Sequence, residues 1–71
     1  MPLSDLSYDI LTSLQSKLEA LDVYEQFIDD CEEAGEDGCR QLFEEMRQDD
    51  ERHVERLTSE LERLVREGKF R

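Results

Sequence analysis

One break divides this chain into two halves, and almost everything else in the sequence follows from it. Gly35 and Gly38 fall within Ala34-Gly35-Glu36-Asp37-Gly38, while the sole proline, Pro2, stands out of the way at the N-terminal end. Glycine clusters of this kind interrupt regular structure. On either side of the break, apolar residues recur at helical spacing. In the first half Ile10, Leu14, Leu21, Tyr24, Ile28 and Cys31 form a 4-3-4-3 ladder whose missing rung is Lys17. In the second half Cys39, Phe43, Met46, Leu57 and Leu64 continue such a ladder, with Asp50, His53 and Glu60 on its other rungs. Leu11, Leu18, Phe27, Leu42, Val54, Leu61 and Val65 widen both stripes to the breadth of core-facing helices. No stretch alternates as a strand does.

Start and stop residues agree with two helices. Ser4 is suited to cap the first, with Asp5 and Asp9 near its positive end, and Gly35 is suited to the left-handed residue that ends it. Asp37 is the expected cap of the second helix. The spacing predicts one all-α domain over residues 1–71: helix over about 4–34, turn at 35–38, helix over about 39–67. Arms of that length span about 42–45 Å. They form an antiparallel hairpin with no closed core, and 71 residues seldom bury enough surface alone. The expectation is therefore a twofold homodimer that completes a four-helix bundle.

Charge narrows the partners. Twenty acids against nine bases leave a net charge of −11, which disfavours nucleic acid and anionic membrane surfaces. A basic protein could dock on such a surface. No apolar run reaches the roughly 18–20 residues of a membrane span, and Asp5 and Asp9 stand where a signal peptide would be basic. The expected location is the cytoplasm. Nothing resembles a nucleotide loop or a catalytic triad. The first 35 residues hold nine acids and a single base, Lys17, and that base sits on the inward ladder.

Lys17, Tyr24, Asp50 and His53 form one expected polar cluster. Asp50 and His53 are three apart, so both project from one side of the second helix. If the turn centres between residues 36 and 37, Asp50 stands level with Val23 and Tyr24, and Lys17 is one turn away. Two readings stay open. A carboxylate three residues before a histidine can present metal ligands inside a bundle. A satisfied polar layer that sets register has the same spacing.

The residues at these positions resemble a family. Lys17 to Gln26, Leu42-Phe43-Glu44-Glu45-Met46 and Asp49-Asp50-Glu51-Arg52-His53 are similar to one half of a ferritin-like bundle, of the rubrerythrin and encapsulated-ferritin type. The similarity covers about residues 14–64. It implies two irons held between four helices and ferroxidase or peroxidase-type chemistry. Ala20, Tyr24 and His53 match the family pattern. Lys17 occupies the place of the first-helix glutamate, and Asp50 replaces the glutamate of Glu-x-x-His. Asp50, His53 and Glu19 are then the candidate metal ligands, with iron as the implied metal.

Charge counting favours a centre without metal. Two Lys17, two Asp50 and two neutral His53 sum to zero in a dimer, as four carboxylates and two divalent ions do in the family. The leading expectation is a degenerate di-metal site with a structural or interaction role and no bound cofactor. The alternatives are an iron-binding ferroxidase and an acidic regulatory hairpin that binds a basic partner.

Cys31 and Cys39 flank the turn at nearly equal height. A disulfide between them and a pair of reduced thiols are both compatible with the spacing, and a cytoplasmic chain favours the thiols.

Overall fold

The structure, a computed structural model, describes residues 2–71. It consists of two helices of equal length, α1 (Asp5–Ala34) and α2 (Asp37–Arg66), packed side by side as an antiparallel hairpin. Among the described residues there is no strand. Neither helix is long and apolar enough to cross a membrane.

Each boundary has a local cause. Ser4 adopts an extended conformation (φ −66°, ψ 154°), and its hydroxyl accepts the Ser7 amide at 3.1 Å, which satisfies one orphan donor of α1. At the other end Gly35 takes φ 69°, its amide donates to the Glu32 carbonyl, and the Glu36 amide reaches back to Cys31 at 2.9 Å. That pair of bonds is the Schellman ending, which requires a left-handed residue and therefore favours glycine. The second helix starts differently from expectation. Glu36, not Asp37, precedes its first turn, and no side chain caps it. Asp37 is instead the first helical residue, where its charge still complements the positive helix end.

The same ending recurs after α2. Gly68 (φ 71°) donates to Val65 and the Lys69 amide to Leu64 at 2.7 Å, turning the last residues back toward the start of the chain. There the Ser4 amide donates to the Phe70 carbonyl at 3.0 Å, and the Ser4 hydroxyl lies 3.1 Å from the Lys69 carbonyl. Ser7, fully buried, sits beneath this clasp with its hydroxyl 2.8 Å from that of Ser4. The open end of the hairpin is thus tied by one backbone bond and one side-chain-to-backbone bond between residues more than sixty positions apart.

The molecule measures 50 × 19 × 12 Å. Its smallest dimension is one helix diameter, so a side chain can be covered from the neighbouring arm but not from above and below. Among the described residues, only Tyr24, Ile28, Cys31 and Leu64 are buried apolar residues. Leu6, Tyr8, Leu18, Val23, Phe27, Leu42, Met46 and Val65 stay 39–56% exposed.

The ladder expected for α2 is rotated. Its protected residues include Arg40, Phe43, Arg47, Asp50, Val54, Leu57, Leu61 and Leu64, whereas Cys39, Met46, His53 and Glu60 are exposed. The stripe on α2 is wider than one seam. Val54 and Leu61 are branched aliphatics that gain more from cover than His53 and Glu60 do, so the helix turns toward them. Arg40 and Arg47 are half-buried on the same side, and the Arg40 guanidinium pairs with Glu44 at 3.1 Å.

Candidate functional site

Midway along the hairpin, three side chains converge on one carboxylate. Asp50 is 7% exposed. Its Oδ1 accepts from Lys17 Nζ at 2.8 Å and its Oδ2 from the Tyr24 hydroxyl at 2.5 Å. Lys17 and Tyr24 are seven residues, two helical turns, apart on α1, so both reach one point on α2 from above and below. His53, one turn beyond Asp50, places Nδ1 3.7 Å from the same Oδ1. That distance is too long for a hydrogen bond.

These contacts set the electrostatics. Lys17, then Tyr24, bonds to the ionised form of Asp50 and holds its carboxyl below the ordinary carboxylate value, against the opposing effect of burial. The same bond acts in reverse on Tyr24. A phenol that donates to a buried carboxylate resists losing its proton, and burial adds to this, so its pKa is pushed up to about 12. No buried side-chain polar atom among the described residues lacks a partner.

The four residues of the expected cluster therefore divide. Tyr24 and Asp50 are buried, and the Lys17 side chain is 37% exposed. His53 is not part of a buried layer: its side chain is 49% exposed, because the rotation of α2 leaves it on the rim. It faces a groove of about 410 Å³ shared with Ile10, Ser13, Lys17, Arg56 and Leu57. Ser13 and Arg56 escaped sequence reasoning. The signal for Arg56 was its i+3 spacing from His53, which is common in a helix so rich in charge.

Glu19 does not join the site. It accepts from Gln15 at 3.4 Å and lines a separate groove with Leu11, Leu14, Leu18 and Asp22. Among the described residues no cluster of three or more histidine, cysteine or acidic side chains could hold a metal. The di-iron centre implied by the family resemblance does not fit this donor set. Both oxygens of Asp50 are engaged, its lysine partner is a cation where a cation would have to bind, and the nearest further ligand is a single imidazole.

At the turn, Cys31 is buried and Cys39 exposed, and both are free thiols. Burial, then the nearby Cys39 and the acids Asp30 and Glu36, push the Cys31 thiol up, with Arg40 acting weakly the other way. Phe27 and Phe43 line the same pocket as the two cysteines, with ring centroids 5.2 Å apart and ring planes tilted by 51°.

No protein-family model, no curated protein and no solved structure matches this chain.

Proposed function

We propose that this chain is a self-associating helical hairpin, one half of a ferritin-like four-helix bundle, in which a lysine–aspartate–tyrosine layer stands in place of a metal centre and serves a structural or interaction role. The observation that carries this reading is the Lys17–Asp50–Tyr24 geometry. It satisfies a buried carboxylate with one donor on each oxygen, both from the same chain, and one of those donors is itself a cation.

The partner is a second copy. A plate one helix thick has two broad faces, and its eight half-exposed large apolar side chains lie on both arms. A stable interface buries roughly 800 Å² per partner, which those side chains can supply in large part. Isologous pairing of two hairpins covers them and yields a four-helix core.

An anaerobic Fe(II) titration of the purified protein followed by calorimetry tests the metal-free layer. The expected result is no saturable heat. A variant carrying Lys17→Glu and Asp50→Glu, checked for helicity, is expected to gain saturable binding at about one iron per chain, the stoichiometry of a two-iron centre shared by two hairpins. Saturable binding by the unaltered chain would overturn the reading.

A further inference from the structure

The two cysteines belong to opposite arms and lie eight positions apart in sequence, yet they open into one cavity. This cavity, of about 380 Å³, lies beside the turn and is walled by Phe27, Ala34 and Phe43, with Asp30 and Glu36 at its edge. The tight ending of α1 causes the meeting. The Schellman bonds at Gly35 reverse the chain within two residues, which sets the last turn of α1 against the first turn of α2.

The two thiols differ in access. Cys39 is exposed on the first turn of α2, whereas Cys31 is 8% exposed in the seam behind it. An outside reagent meets Cys39 first and Cys31 only through the shared cavity.

We propose that Cys31 and Cys39 form a thiol–disulfide exchange site for low-molecular-weight disulfides of the glutathione class, with Cys39 as the attacking thiol and Cys31 as the resolving one. In the first step the Cys39 thiolate attacks one sulfur of the small disulfide. A bond forms between Cys39 Sγ and that sulfur, the original S–S bond breaks, and the leaving thiolate takes up a proton. In the second step Cys31 gives up its proton and attacks Cys39 Sγ. The Cys31–Cys39 bond forms, and the second small thiol leaves with a proton. Two protein thiols are oxidised to one disulfide, and the small disulfide is reduced to two thiols, a balanced two-electron exchange.

The environment suits this division of labour. Cys31 is kept protonated by burial and by the acids around it, so it does not compete for the reagent. Once Cys39 carries the mixed disulfide, Cys31 shares a cavity with an electrophilic sulfur on its own chain, and this intramolecular placement favours the second step. The product ties the end of α1 to the start of α2, far from the clasp at the open end and independent of the mid-hairpin layer.

The test is incubation of the full chain with oxidised glutathione near pH 8, acid quenching, and intact-mass and peptide mapping without reductant. The expected product is a chain that has lost two hydrogens and contains an internal Cys31–Cys39 link, with only transient glutathione adduct. Cys31→Ser is expected to stop at a stable adduct on Cys39, and Cys39→Ser to lose nearly all uptake. A stable adduct on the unaltered chain, with Cys31 still open to alkylation after unfolding, would overturn the proposal. So would cross-links between chains in place of the internal one, or no reaction. Mapping of the unaltered chain decides these outcomes even if a serine variant folds poorly.

Discussion

A carboxylate that is 7% exposed depends on its donors, and Asp50 has two. Removing the phenol by Tyr24→Phe keeps the ring and its edge-on contact with Phe27 but strips one donor from a buried charge. Hydrogen bonds to charged groups contribute about 1.5–3 kcal/mol, so chemical denaturation is expected to show a loss of that size. The pH dependence separates the two partners. Because the Asp50 pKa is depressed on folding, its contribution is present above the unfolded value of about 4 and is lost as pH falls through the folded value. Because the Tyr24 pKa is raised from 10.0 to about 12, its contribution is intact below pH 10 and is lost as pH rises across that interval. Tyr24→Phe should therefore flatten the decline in stability between pH 10 and about 12 while leaving an acid-side decline from Asp50. An unchanged alkaline slope in the variant would place the cause elsewhere.

The helices themselves are governed by their ends. Gly35 and Gly38 are both glycines beside one turn, and a Cβ at either would meet open space, yet they should respond oppositely to alanine. At Gly35 the backbone has φ 69°, and an L-residue there is strained by about 1–2 kcal/mol, so Gly35→Ala is expected to destabilise by about that amount. Gly38 lies inside the first turn of α2 with ordinary helical backbone, so Gly38→Ala is expected to stabilise by about 0.5–1 kcal/mol. Denaturant midpoints of the two variants check both signs at once. The two ends of the hairpin also differ in legibility. The turn was readable because Gly35 has a local purpose, the left-handed backbone that ends α1. The clasp was not, because Ser4 meets Lys69 and Phe70 through backbone carbonyls, and a carbonyl carries no mark in a sequence.

For the molecule as a whole, apolar surface and net charge oppose each other. In the proposed dimer, exposed large apolar side chains would draw two copies together, while −11 on each would keep them apart. Salt weakens only the second effect. The Debye length falls from about 30 Å at 0.01 M to about 10 Å at 0.1 M and about 3 Å at 1 M. Sedimentation measurements are expected to show self-association that strengthens severalfold with added sodium chloride over the range where screening shortens. Leu42 is 54% exposed and supports little within one hairpin, so Leu42→Glu should leave helicity intact and abolish most of that association. Association that weakens with salt would argue for ion pairing across the interface instead.

The repeat of apolar residues and the punctuation at Gly35 determined two helices, their antiparallel order and the position of the turn. Those properties depend on contacts within a few residues. Tertiary packing decided the rotation of α2, because its apolar stripe is wider than one seam and only the facing arm selects Val54 and Leu61 over Met46 and His53. That choice buried Asp50, brought Lys17 and Tyr24 to its two oxygens, and put His53 on the rim. A four-residue polar cluster read from spacing thus became a three-residue layer. The physical reason is that periodicity assigns a residue to a face about 100° wide, whereas hydrogen bonding at under 3 Å requires one rotation within that face.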